Sequence, residues 1–378
     1  MEKIYRDSLE LHRKHHGKLE VKSKVPIENK TDLSLAYTPG VGQVSTEIGK
    51  NADRAYEYTL KSNTIAVVSD GSAILGLGNL GAEAAIPVME GKAVLFKRFA
   101  GVDAFPICLA TQDTEAIIET VKRIAPVFGG INLEDIAAPR CFEIERRLMK
   151  ELPIPVMHDD QHGTAVVVLA GLMNALKVRG ASGKNTRIVV GGAGSAGIAV
   201  TKLLIRYGYT DIIICDSKGA IHHNRKDLIL EKEKLKNTTN PRRLEGTLVE
   251  VIAGADVFIG VSKGGTLNEA MVRSMNAKPI VFALANPIPE IMPDRAIAAG
   301  AFIVATGRSD FSNQMNNVLA FPGIFRGALD NGIRQFTEAM FLNAAERLAA
   351  CVTEPDANLI LPSVFDRKVV PAIAKAIK

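Results

Sequence analysis

The chain has 378 residues, 47% of them hydrophobic and 23% charged, with a formal net charge of +5 at pH 7. These values describe a globular chain long enough for two cores and exclude a disordered, collagen-like or coiled-coil protein. The positive excess is too small to indicate a nucleic-acid partner. Its densest stretch, residues 222–243, interleaves acids without alternating aromatics and reads as a solvated surface insertion.

In chain order, the first 60 residues read as helical, with a break at YTPGVG (37–42). Short β-rich runs follow at 64–70, 92–97, 104–110, 129–135 and 154–160, with helical stretches between them such as 114–128. That alternation predicts an α/β domain. A long helix is expected from Gly163, bridging to a second unit that opens with the strand 187–191. Further strands at 211–216, 256–262, 279–286 and 301–307 predict a doubly wound parallel sheet of the Rossmann type. The tail, 332–378, reads as helices broken around 355–362.

The amino terminus is charged and lacks the apolar run of a secretory signal, and the longest apolar stretch, 163–176, is shorter than the roughly 20 residues that span a bilayer. The four cysteines, Cys108, Cys141, Cys215 and Cys351, are widely spaced, as reduced thiols are. A cytoplasmic protein without membrane contact is expected.

GxGxxG occurs twice, as GLGNLG (76–81) and GAGSAG (192–197). The second copy directly follows a strand and opens a helix, and Asp216 ends the next strand about 20 residues on, as a dinucleotide site requires. Gly192 would permit the tight turn, Gly194 the approach of the pyrophosphate, and Gly197 close packing of helix on sheet. The amides around Ala193, Ser195 and Ala196 would then meet the phosphates. The first copy is separated from its strand, and the run after it, read as a strand, ends in Lys97 and Arg98 with no acid. It reads as a structural or substrate loop. Asp216 would bond the ribose hydroxyls and favour NAD, whereas Lys218 nearby could meet the 2′-phosphate of NADP.

Two acidic pairs, Glu134–Asp135 and Asp159–Asp160, sit at predicted strand ends, where ligands collect in open α/β sheets. Brought together they would repel unless a cation lay between them, and an all-oxygen set suits Mg²⁺ or Mn²⁺. The rival is HDDQH (158–162), which resembles HExxH. That motif works on a helix, and here His158 follows a strand while the helix is expected only from Gly163, so His158 and His162 read as supporting residues. One aspartate could instead cap the helix.

YTPGVG, SDGSAILGLGNLG, GKAVLFKRFAGVDAFPI, INLEDIAAPRCFEIE, HDDQHGTA, GAGSAG, FALANP and MNNVLAFPG occur in the order found in malic enzymes. The chain resembles the short prokaryotic form over nearly its whole length. The resemblance implies divalent-metal-dependent oxidative decarboxylation of L-malate to pyruvate and CO₂ with NAD or NADP, and a homodimer. It implies a substrate and metal domain over 1–160 and a nucleotide-binding domain with carboxyl-terminal helices over 161–378. Tyr37 then matches the proton donor and Lys92 the general base. Glu134, Asp135 and Asp160 match the metal ligands, Asn286 and Asn317 match residues contacting substrate or nicotinamide, and Asp159 tunes Lys92. Taken alone, Tyr37, Lys92 and Asn286 would each read as structural. A lysine base needs its pKa lowered by burial or a nearby cation. Larger family members carry a carboxylate-binding arginine where this chain has Ala73, so another group must anchor that carboxylate; Arg308 and Arg98 are candidates by charge, and a residue of a partner subunit is a further one. Alternative readings are malolactic conversion of malate to lactate and a non-catalytic nucleotide sensor.

Overall fold

The structure, a computed structural model, describes residues 2–181, 183 and 186–378. The first part of the chain forms helices α1 (Glu2–His15), α2 (Lys30–Ala36), α3 (Gly40–Lys50) and α4 (Ala55–Tyr58). It then alternates β1 (Thr64–Ser69), α5 (Ala82–Ala100), β2 (Asp103–Cys108), α6 (Thr114–Ile124), β3 (Gly130–Leu133), α7 (Arg140–Glu151), β4 (Val156–His158) and α8 (Asp159–Arg179). The four strands make a parallel sheet in the order β2-β1-β3-β4. Pro106 sits on the edge strand β2, where a missing N–H is tolerated.

A second sheet, in the order β10-β9-β8-β5-β6-β7, is built from β5 (Ile188–Gly191), β6 (Ile212–Asp216), β7 (Gly219–Ala220), β8 (Val257–Gly260), β9 (Ile280–Ala283) and β10 (Ile303–Thr306). It is parallel except for β7, which turns back on β6. Its helices are α9 (Ser195–Tyr207), α10 (Leu230–Lys236), α11 (Leu248–Val251), α12 (Glu269–Ser274) and α13 (Pro293–Ala298). The chain ends in α14 (Phe321–Asp330), α15 (Glu338–Ala350) and α16 (Val369–Ala374). No described helix is long and apolar enough to cross a membrane.

Two expectations are corrected. The run 92–97 is not a strand but the second half of α5, whose buried positions Ala82, Ala85, Met89, Lys92, Ala93 and Phe96 recur at helical spacing. A window confined to KAVLFK sees only β-prone side chains; the period emerges only across the whole helix. Likewise α8 starts at Asp159 rather than Gly163, so both aspartates lie in its first turn. Carboxylates there oppose the positive end of the helix dipole.

Two features position the site. The carboxyl-terminal segment returns to the first sheet: Phe321 and Phe325 of α14 meet Phe96 of α5 edge-on, at 4.7 and 5.5 Å between ring centres. In contrast, residues 3–50 contain no buried side chain, although α1–α3 and their links carry Ile4, Leu9, Val25, Leu35 and Tyr37. Phe96 is fully buried. Phe96→Ala should therefore cost about 3–5 kcal/mol in denaturant unfolding. A loss under about 1 kcal/mol would show that this seam is not a packed core.

Candidate active site

The parallel order of the first sheet brings the carboxyl ends of β1, β3 and β4 to one edge. Glu134 and Asp135 follow β3, and Asp159 and Asp160 follow β4. Glu134, Asp135 and Asp160 each offer an oxygen within 4.8 Å of the others, and among the described residues they are the one group of three or more acids, histidines or cysteines so placed. Asp135 adopts a left-handed backbone, φ +53°, uncommon for a residue with a Cβ. Its N–H donates to Asp160 Oδ2 at 3.0 Å. Its buried Oδ2 has no hydrogen-bond partner among the described residues.

Burial, and after it Asp160, push the Asp135 carboxyl up to about 8. Burial also raises Glu134 well above its ordinary value despite Lys92. Carboxyls this close cannot all ionise without a counter-charge. An all-oxygen set with an unpartnered buried oxygen fits a hard divalent cation, Mg²⁺ or Mn²⁺.

Lys92 reaches this cluster from the buried face of α5. Its ammonium lies 3.0 Å from Glu134 Oε1, donates to Asp159 Oδ2, and sits 4.3 Å from the ring centre of Phe321. Burial pulls the lysine pKa down, but Asp159, Glu134 and Asp160 outweigh it and hold the group protonated above its ordinary range. The expectation that burial lowers Lys92 is therefore reversed here, because attraction to three acids exceeds the desolvation cost. Burial pushes Asp159 itself up to about 6, against the pull of Lys92. Asp159 also explains Gly163: a Cβ there would lie 1.9 Å from Asp159 Oδ1.

The histidines are not among the clustered oxygens. His158 is fully buried, its Nδ1 lies 3.7 Å from Asp160 Oδ2, and among the described residues neither ring nitrogen has a hydrogen-bond partner. His162 Nε2 pairs with Glu145 Oε1 at 3.0 Å on the far side of α8.

A cavity of about 540 Å³ joins this edge to the second sheet. Glu134, Asp135, Asp160 and Lys92 line one wall; Ser195, Ala196, Asn286 and Asn317 line the other. Gly192, after β5, has φ +126°. A Cβ on Gly197 would lie 1.8 Å from the Gly192 carbonyl, so only glycine lets α9 pack there. Gly194 has nothing within 4 Å of an added Cβ, which leaves the α9 amino terminus open. Ala193 is buried beside it. The GLGNLG loop crosses between the sheets: a Cβ on Gly76 would lie 1.8 Å from the Asn286 carbonyl. Asp216, at the end of β6, is occupied: it accepts from Lys218 N at 2.9 Å, Lys232 Nζ at 2.8 Å and Arg225 Nη2 at 3.1 Å. Burial raises its pKa, but Arg225 and Lys232 outweigh that and keep it low.

Three residues stand elsewhere. Tyr37 is 66% exposed and outside the cavity. Arg98 is exposed, and Arg308 pairs with Asp310 at 2.6 Å; neither lines the cavity. Among the described lining residues Lys92 is the one lysine or arginine. The sequence reading also missed residues that hold the loops. Asp70 accepts from Ser72 N and pairs with Arg140 at 2.9 Å, fixing the turn that carries Ala73. Glu290, fully buried, accepts from Ser262 N and Ala285 N at 2.9 and 3.0 Å and ties together the loops after β8 and β9. An acid within an otherwise apolar or turn-rich stretch is the only signal either offers.

Fold and site together define a two-sheet protein of the dinucleotide-binding class, with a carboxylate cluster that fits a cation in the same cleft. Residues 16–149 match the malic enzyme N-terminal domain and residues 161–378 the malic enzyme NAD binding domain. The chain belongs to the malic enzyme family. It is 57% identical to the bifunctional malic/malolactic enzyme of Bacillus subtilis, over 98% of this chain and 91% of that protein. It is 50% identical to the NADP-dependent malic enzyme of Halomonas elongata, over 91% and 82%. The crystal structure of the NAD-dependent malic enzyme from Thermotoga maritima superposes with a TM-score of 0.95 at 49% identity, covering 98% of each chain.

The raised carboxyl pKa values give a signed pH test. An acid raised in the folded state, as Asp135 is to about 8, binds its proton more tightly folded than unfolded. Stability of the metal-free protein therefore falls as pH rises from about 4 to about 8, and a cation must displace protons to bind. The gain in Tm on adding Mn²⁺ should be larger at pH 8 than at pH 5.5. An equal gain at both would sink the assignment of these acids to the cation.

Proposed function

We propose that the protein oxidatively decarboxylates L-malate to pyruvate and CO₂, with reduction of NAD or NADP and with Mg²⁺ or Mn²⁺ held by Glu134, Asp135 and Asp160. The observation that carries this reading is Lys92, buried between Glu134 and Asp159 and facing the nucleotide fingerprint across one cleft. When bound, the cation polarises the C2 hydroxyl oxygen and offsets negative charge developing there, and the nicotinamide accepts hydride.

Lys92 then takes the hydroxyl proton as hydride leaves C2. The bond to the distal carboxylate breaks, CO₂ departs, and a proton is delivered to C3. Lys92 can act as a base only once the acids that hold it protonated, Asp159 first and then Glu134 and Asp160, are offset by other positive charge. Asp159 holds the lysine in place. Asn286 and Asn317 orient the substrate and nicotinamide, and the GAGSAG amides hold the pyrophosphate. Asp216 opposes a 2′-phosphate and so leans the site toward NAD, while Arg225 and Lys232 offset part of its charge and keep NADP admissible. The division into a substrate and metal domain, 1–160, and a nucleotide domain, 161–378, follows from the same reading.

The proton donor is Tyr37, and we assign it to the cleft of a second copy. Supporting this are its exposure, the absence of any buried side chain in residues 3–50, and the apolar residues that segment presents. A homodimer would cover these faces, and the neighbouring arm could supply the malate carboxylate's missing cation. The four free cysteines fit a cytoplasmic setting.

The direct test is turnover of malate with NAD or NADP in Mn²⁺ and again in EDTA. Coupled formation of pyruvate and reduced nucleotide, abolished by EDTA, is expected; no turnover in Mn²⁺ would overturn the reading. The name of the Bacillus subtilis relative favours one second reading, malolactic conversion, and lactate without net reduced nucleotide would select it. Lys92→Ala should lose at least a thousandfold in kcat yet bind NAD normally, and retained turnover would remove the base assignment.

Mixing Tyr37→Phe with Lys92→Ala tests sharing between subunits. Random exchange gives half heterodimers with one intact site in two, so about a quarter of wild-type activity should return. No recovery after confirmed subunit exchange would place Tyr37 in its own chain's cleft.

A further inference from the structure

Strand β3 is apolar except for one side chain. Gly130, Ile131 and Leu133 surround Asn132, and all four are buried. In the sheet register Asn132 stands between Val67 of β1 and Met157 of β4, so neither neighbouring strand offers it a polar side chain at that level. A buried amide in such a place is unfavourable unless it is hydrogen-bonded.

Its one side-chain hydrogen bond among the described residues goes to the cleft. Asn132 Nδ2 donates to Glu134 Oε2 at 2.9 Å, and Asn132 Oδ1 has no partner. Strand alternation explains the meeting, because residues two apart face the same way. The ladder runs one residue past β3, with Glu134 N donating to Val68 O at 2.9 Å, so the alternation carries through to the acid. Glu134 is therefore held at both ends: Oε2 by Asn132, and Oε1 by Lys92 at 3.0 Å.

The side-chain type fits this task. A carboxylate at 132 would add a fifth acid to Glu134, Asp135, Asp159 and Asp160. A lysine would compete with a cation, and an apolar group would leave Glu134 Oε2 without its donor. A neutral amide supplies the donor and leaves the charge unchanged. Between Val67 and Met157 a leucine would suit the sheet at least as well, so the fold alone does not require the amide.

We propose that Asn132 is a positioning residue of the cation site. It holds Glu134 Oε2, keeps that carboxylate turned toward Lys92, Asp135 and Asp160, and so strengthens binding of the divalent cation. The inference rests on the reading of Glu134, Asp135 and Asp160 as the cation's ligands. Groups that orient a ligating carboxylate from behind typically contribute roughly ten- to hundredfold in metal affinity.

The test is Mn²⁺ binding to the full chain without malate or nucleotide, read from the electron paramagnetic resonance signal of the free ion. Asn132→Leu should bind Mn²⁺ at least about tenfold more weakly than the wild type. The Tm of the metal-free variant should be equal or higher, and its NAD affinity unchanged. Asn132→Ser, whose hydroxyl is too short to reach Glu134, should show the same loss of Mn²⁺ and guards against misfolding of the leucine variant. Wild-type Mn²⁺ affinity in both variants would overturn the proposal alone. So would a loss of Mn²⁺ affinity matched by an equal loss of NAD affinity, which marks a merely structural amide. No Mn²⁺ bound by the wild type at millimolar concentration would overturn the cation reading and this proposal with it. In turnover, KM for Mn²⁺ should rise by the same factor while kcat at saturating Mn²⁺ falls far less. A fall in kcat at unchanged KM would contradict the positioning role.

Discussion

One buried ammonium faces four carboxylates, and the cleft is organised around that imbalance. Lys92 cannot neutralise Glu134, Asp135, Asp159 and Asp160 together, so the folded chain keeps protons on some of them or takes up a cation. The surrounding structure serves to hold these like charges close. Parallel pairing of β1, β3 and β4 sets the strand ends side by side. Asp135 occupies a left-handed conformation, and Gly163 clears space for Asp159. Phe321, arriving from the far end of the chain, closes the wall over the lysine. A cluster this costly is retained where it performs chemistry.

The same edge meets the second sheet at close quarters. Gly76 against the Asn286 carbonyl, and Gly197 against the Gly192 carbonyl, are contacts that no side chain would allow. The first draws the two sheets' loops together, and the second aims the α9 amino terminus into the cleft. Helix α8 runs between them, carrying the acids at its start and packing along α9 further on. Any shift in its first turn is therefore felt by both the clustered carboxylates and the nucleotide side.

Much of this was legible in the sequence because it is local. Strand, glycines and following acid lie within one βαβ unit, so GAGSAG and Asp216 could be read from spacing alone. The acid pairs stood out at strand ends. What depends on distant segments was not legible. KAVLFK reads as a strand until the stripe from Ala82 to Phe96 is taken whole. The start of α8 was misplaced because Gly163 reads as a break, whereas here it is the space that Asp159 requires. The raised pKa of Lys92 could not be foreseen, since it results from acids on two separate segments, Glu134 after β3 and Asp159 and Asp160 in the first turn of α8. Exposure of Tyr37 belongs to the same class, because nothing local to YTPGVG says what that segment packs against.

In the proposed reading the cation is held by carboxylates beside Lys92 and not by the histidines of HDDQH. Pulsed electron paramagnetic resonance of Mn²⁺ bound to the protein tests it most directly. Expected is one Mn²⁺ per chain with oxygen-only coordination, lost in Asp160→Asn. Modulation from a directly coordinated histidine nitrogen, or an unchanged site in Asp160→Asn, would contradict it.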